Sequence, residues 1–259
     1  MAVAHAIPEQ PHLVLCELAP LPGPVESHSP FCLKLRRALT LLELDFDSDA
    51  RAMPSAFRHL NPRGKVPVLQ IDGEAVSDST RILARLDAMR PGILYPHRES
   101  SLWEEFADRS LNGFLVAARW ADPTQWPRVR EQFFTGLPWG LRSLVPERVR
   151  ASVVRSLRQR DVFFGEIDEV DDEFVGLLDD LDDRAPASGF WLGDEPDAAD
   201  LAIFAQLQSL RCSLTPKQEG WINRRRALAR YLDRVDRATR TLAPSSNGSE
   251  SRAVMVRET

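Results

Sequence analysis

The chain has 259 residues, 43% of them apolar and 27% charged, and a formal net charge of −5 at neutral pH. This length fits two modest domains or one elaborated one, the composition is that of a globular protein, and no apolar run approaches the roughly 20 residues of a membrane-spanning helix. The negative balance argues against nucleic acid as a partner, because neutralising phosphates needs a basic surface. Cys16, Cys32 and Cys212 are widely spaced and form no Cys-x-x-Cys pair, and the histidines, His5 among them, show no ligand spacing, so neither disulfides nor a metal site is expected. Residues 1–10 carry no Lys or Arg and no extended apolar stretch, so they lack the parts of a signal peptide; they read as an N-terminal extension of a cytoplasmic protein.

The elements follow in order. His12-Leu13-Val14-Leu15-Cys16-Glu17-Leu18 reads as a buried strand, ended by a loop containing Pro20, Pro22, Gly23 and Pro24. From Phe31, the apolar positions Leu35, Ala38, Leu39 and Leu42 recur at helical spacing. A weaker strand is expected near 44–48 and a short helix near 54–60. A hairpin about Gly73 should join 66–72 to 74–76. Asp78 or Ser79 then starts a helix with Ile82, Leu83 and Leu86 on one face, ended by Pro91-Gly92. The order is βαβαββα over 11–92. Residues 93–100 lack periodicity and read as a linker, and 101–242 read as all helix.

Within the helical part, Leu102, Phe106, Leu111, Phe114, Leu115 and Ala118 mark a long helix that Asp122-Pro123 stops. Residues 142–160 are rich in arginine, whereas 166–183 carry many carboxylates over an apolar stripe of Val170, Phe174, Leu178 and Leu181, the pattern of an amphipathic helix with a solvated acidic face. Asp197 is placed as the N-cap of a buried helix from Ala198, with Asp200 able to reach back. A closing helix spans about 224–239, and 243–259 read as a frayed tail.

Three short segments carry chemistry. Ser29-Pro30-Phe31-Cys32 sits at a loop-to-helix junction, where unpaired amides and the helix dipole favour an anion, including a thiolate. There a Ser29 hydroxyl can donate to a ligand sulfur and stabilise its ionised form; the plainer role is a helix cap. In Lys65-Val66-Pro67-Val68, Pro67 belongs at a sheet edge, and a cis bond before it would turn the Val66 backbone outward to pair with an extended peptide. Lys65 would meet a terminal carboxylate; the alternative is an edge proline beside a surface lysine. Asp78-Ser79 opens a helix and can hold an amino acid head group, or merely cap the helix.

Together with Asn61-Pro62-Arg63-Gly64-Lys65-Val66-Pro67-Val68-Leu69 and Ser77-Asp78-Ser79, the first segment resembles the thioredoxin-like domain of the cytosolic glutathione transferases, over 13–90, in its serine-dependent form. The helical part is similar to the family's second domain through Phe190-Trp191-Leu192-Gly193-Asp194-Glu195-Pro196-Asp197. The resemblance implies an α/β thioredoxin-like domain followed by an all-α helical bundle. It also implies glutathione as co-substrate, Ser29 as thiol activator, and Phe31, Lys65, Val66, Pro67, Asp78 and Ser79 as glutathione-binding residues. Asp78 stands where the family usually has Glu, one methylene longer. A family member would build the pocket for its second, apolar electrophilic substrate near 125–160, and members usually form two-fold dimers. The implied activity is transfer of the glutathione thiol to an electrophile in detoxification. The alternatives are a glutathione-dependent isomerase or dehalogenase, a non-catalytic scaffold, and a thiol oxidoreductase. The last would rest on Cys32, whose amide environment should lower its pKa, unless it is simply a small residue buried under the first helical turn.

Overall fold

The computed structural model describes residues 10–20, 26–159 and 166–240. Residues 1–9 of the N-terminal extension, His5 among them, the loop residues Pro22, Gly23 and Pro24, Arg160 and the tail from 243 lie outside the described residues. The chain opens with β1 (Leu13–Leu18), α1 (Pro30–Leu41), β2 (Asp47–Arg51), a short 3-10 turn (Pro54–Phe57), β3 (Val68–Ile71), β4 (Glu74–Ser77) and α2 (Ser79–Met89). The four strands lie in the order β2-β1-β3-β4, with β1 parallel to β2 and antiparallel to β3, and β4 antiparallel to β3. Asp72 and Gly73, at φ 50° and 87°, form the two-residue turn of the β3–β4 hairpin, whose positive φ values match the twist of the strands it joins.

Two expectations shift. The second strand begins at Asp47 rather than Leu44, because Leu44 is buried in the core and the polar, mostly exposed Asp-Ser-Asp-Ala-Arg stretch pairs with β1 through its backbone. An apolar pattern cannot reveal such an edge strand. The stretch read as a linker is tied down: the Leu94 amide donates to Asp87 at 3.1 Å, its carbonyl accepts from Ala198 at 2.9 Å, and its fully buried side chain joins the sheet-side core.

The next helix starts at Arg98, inside the expected linker. It runs continuously through 98–121 as α3 (Arg98–Phe106), a wider π-type stretch (Ala107–Leu111), α4 (Asn112–Val116) and a second π-type stretch (Ala117–Ala121), ending at Asp122-Pro123. Then follow α5 (Trp126–Phe134), α6 (Val145–Arg158), α7 (Ile167–Arg184), α8 (Ala198–Leu210), α9 (Pro216–Arg224) and α10 (Arg226–Thr239). Helix α8 is mainly apolar and enclosed on all sides, every residue in it but Gln208 being buried. Its Ala198 and Leu201 pack with Leu35, Leu39 and Ile82 beside the sheet, while Ile203, Phe204 and Leu207 join Phe174, Leu178 and Tyr231 in the helical core.

Candidate functional site

Ser29 caps α1. Its Oγ accepts from the Cys32 amide at 3.4 Å, its carbonyl accepts from Leu33 at 2.9 Å, and Pro30 occupies the first helical turn. Capping uses the Ser29 oxygen as an acceptor and leaves the hydroxyl proton to donate, either to the neighbouring Cys32 thiol or to a ligand sulfur at the positive end of the helix.

Phe31, Lys65, Val66, Pro67, Asp78 and Ser79 line one cavity of about 1060 Å³, with Asn61, Arg63, Arg81, Asp108, Arg109 and Asn112 completing much of its wall. Ser29 is not among the lining residues; it sits two positions before Phe31 on the same helix terminus. The Val66–Pro67 bond is cis, and Val66 lies just outside the β3 ladder, which starts at Val68. Asp78 caps α2, its Oδ1 accepting from the Arg81 amide at 3.3 Å, and it holds φ 83°, a conformation that non-glycine residues adopt mainly where the surroundings enforce it.

Cys32 is fully buried, and burial pushes its thiol up to about 11, with the Ser29 hydrogen bond opposing the shift. This corrects the expectation of a lowered pKa: inaccessible and protonated, the thiol is unsuited to redox exchange.

Several site residues were missed in the sequence. Asn61 is buried, its Nδ2 donating to the Lys65 carbonyl at 2.8 Å and its Oδ1 accepting from the Arg63 amide at 3.2 Å, so it shapes the turn that presents Lys65. The Asn-Pro-x-Gly run was the available signal. The apolar stripe from Leu102 to Ala118 gives no sign of Asp108, Arg109, Ser110 and Asn112, which reach the cavity in and just after the π-type stretch at 107–111. Of the segment 125–160, none of the described residues lines this cavity. Trp126 and Phe134 border a separate cleft of about 490 Å³, and Phe133 meets the His28 ring edge-on at 6.2 Å.

Charge is arranged around the cavity in two layers. Arg109 pairs with Glu105 at 2.9 Å, and Asp108 with the fully buried Lys34 at 2.5 Å, so these pairs largely neutralise themselves. Burial raises the Asp108 pKa while Lys34 opposes the rise. Among the described residues, Arg63, Lys65 and Arg81 make no ion pair, which leaves the cavity attractive to anions. Behind Ser29, the fully buried Arg119 donates to the His28 carbonyl at 2.6 Å and to that of Ser209 near the C-terminus of α8, fixing the loop that carries Ser29.

Several solved structures share this fold. The beta-etherase LigF from Sphingobium sp. strain SYK-6 superposes with a TM-score of 0.62 at 21% identity, over 86% of this chain and 94% of that one. A glutathione S-transferase from Methylobacterium radiotolerans, in complex with glutathione sulfonate, gives 0.55 at 19% identity over 94% and 100%. "Failed axon connections" of Drosophila melanogaster is 23% identical over 71% of this chain, which spans 47% of that protein's length. Residues 28–89 match the family described as "Glutathione S-transferase, N-terminal domain", and 164–234 match "Glutathione S-transferase, C-terminal domain". With the four-stranded sheet and the helical domain in that order, the chain belongs to the glutathione S-transferase family.

Proposed function

We propose that this protein is a glutathione-dependent transferase in which Ser29 stabilises the thiolate of bound glutathione for attack on an electrophilic carbon. The supporting observation is that the Val66 edge, Lys65 and the Asp78–Ser79 helix start share one cavity in which the cations without an ion pair among the described residues, Arg63, Lys65 and Arg81, outnumber the one such carboxylate, Asp78. Thiolate glutathione carries two carboxylates, one ammonium and the sulfur charge, so the match is one of sign. Lys65 takes the glycyl carboxylate, Val66 pairs with the cysteinyl backbone, and Asp78 with Ser79 holds the γ-glutamyl group. On the helical-domain side the cavity is lined by Asp108, Ser110 and Asn112, so a second substrate bound there would meet a polar wall.

Thiolate formation alone contributes modestly. Lowering a thiol pKa from about 8.5 by two units raises the ionised fraction at pH 7 from roughly 3% to roughly 75%. The weaker nucleophilicity of the less basic sulfur cancels most of that, leaving about two- to fourfold. Holding the electrophile against the sulfur supplies the larger share, up to roughly 7 to 11 kcal/mol in well-oriented cases.

Titration with reduced glutathione, followed by thiolate ultraviolet absorbance, tests the proposal. A saturable signal that Ser29→Ala abolishes while glutathione still binds is the expected result. A flat wild-type trace despite binding would sink the serine mechanism and favour a glutathione-binding scaffold, a reading that draws support from Ser29 lying outside the cavity lining. Net consumption of glutathione separates transfer from an isomerase cycle that regenerates it.

A further inference from the structure

Of the six large apolar residues exposed among the described residues, three lie in one short loop, whereas Met53, Ile93 and Leu102 stand apart from it and from one another. Trp139 is 90% exposed, Leu141 48% and Leu144 57%, all between α5 and α6. An indole left almost wholly in water is unusual unless it meets another surface. The loop is braced from behind: Arg142 donates through Nε to the Leu137 carbonyl at 2.7 Å and through Nη2 to that of Thr135 at 2.9 Å, while Arg130 donates to the Arg142 carbonyl at 3.0 Å. These bonds hold the backbone either side of Trp139 and fix it as a projecting tip.

Beside the tip runs a cationic stripe. Leu144, Arg148, Ala151, Arg155 and Arg158 follow one another at steps of four and three residues, which places them along one face of α6, and all are exposed. The stripe extends about 21 Å from the tip. Arg150 is not part of it, because its guanidinium turns inward to the Trp120 and Ala121 carbonyls.

We propose that this tip and stripe form a peripheral docking surface for an anionic phospholipid bilayer, with Trp139, Leu141 and Leu144 entering the headgroup region and Arg148, Arg155 and Arg158 resting on the phosphates. A bilayer is the partner that offers both halves of the complement, negative charge at its surface and apolar material just beneath, and tryptophan suits that boundary. A second copy of the chain fits less well. Its most acidic face, on α7, exposes Asp168, Glu169, Asp172, Glu173, Asp179 and Asp180 with no exposed apolar residue among them to receive an indole. No helix of the described residues is long and apolar enough to cross a membrane, so the association is at the surface.

Co-sedimentation of the full chain with vesicles tests this. Phosphatidylcholine vesicles containing phosphatidylserine should carry the protein down, pure phosphatidylcholine vesicles should not, and added salt should weaken the binding. Trp139→Ala should weaken partitioning about tenfold, and Arg148→Gln and Arg155→Gln about fivefold each. These are exposed positions, and an unchanged thermal midpoint confirms the fold of each variant. Three results would overturn the proposal: no sedimentation with phosphatidylserine vesicles, sedimentation that Trp139→Ala leaves unaltered, or dissociation of a dimer by the tip variants in size-exclusion chromatography, which would assign the patch to a second copy.

Discussion

His28 precedes Ser29 and is held by an arginine on one side and an aromatic ring on the other. Neither ring nitrogen finds a hydrogen-bond partner among the described residues, and burial together with the nearby Arg119 charge lowers its pKa from 6.5 to about 4. The imidazole is therefore neutral in the folded protein at pH values where the unfolded chain binds a proton. Between pH 6.5 and about 4 the unfolded state holds more protons, so stability falls as pH falls across that window and the contribution is constant above it. Wild type should lose on the order of 2 to 3 kcal/mol more than His28→Leu over this range, measured as the difference between their denaturation midpoints at each pH. Equal losses would place the imidazole in contact with solvent. In the sequence His28 was a histidine without a metal-ligand pattern; its burial depends on Phe133 and Arg119, more than 90 positions away, which no local pattern contains.

At the scale of elements, helix starts were the most legible features because each is decided by a few adjacent residues. Ser29-Pro30, Asp78 and Asp197 all cap the helices they were expected to open. Asp197 does more than cap: Oδ1 accepts from the Ala199 amide at 2.8 Å, Oδ2 accepts from the buried Ser100 hydroxyl at 2.6 Å, and the Asp197 amide in turn donates to Asp200 at 3.0 Å. Asp197→Ala removes a cap and orphans a buried hydroxyl, so about 2 to 3 kcal/mol of destabilisation is expected in denaturant unfolding. Asp197→Asn keeps an oxygen acceptor for the cap and should recover part of that loss. Asp200 is held by the Tyr231 hydroxyl at 2.7 Å and the Trp191 amide at 2.8 Å, which ties the Phe190-Trp191 turn to the closing helix; burial raises its pKa to about 6.

At the scale of the molecule, the two halves meet through charge as well as apolar packing. Lys34 of α1, fully buried, donates to Glu104 at 2.8 Å and Asp108 at 2.5 Å, while Glu104 also accepts from Thr80 at 2.9 Å and Tyr95 at 2.6 Å. Gln206 of α8 closes the set by donating to Asp108 at 3.3 Å. One ammonium thus joins the sheet-side helices to the helical domain at the back of the cavity. Lys34→Met would leave two buried carboxylates without their cation and should cost about 3 to 5 kcal/mol, seen as a lowered calorimetric midpoint. If the halves are coupled as this network implies, the wild type unfolds in a single transition; two transitions in wild type, or an unchanged midpoint in Lys34→Met, would contradict it.

The sequence by itself determined the order of elements, the helix caps, the hairpin turn at Gly73 and the residues that line the cavity from the sheet side, because each follows from interactions within a few positions. Tertiary structure decided what depends on distant partners. It set the polar backbone pairing of β2, the burial that raises Cys32, the docking of Leu94 on Ala198, and the turn of 107–111 that brings Asp108 and Asn112 to the cavity. A periodic pattern reports which face of an element is apolar. It does not report which other element that face meets, and the charge, pKa and exposure of a side chain are fixed by that meeting.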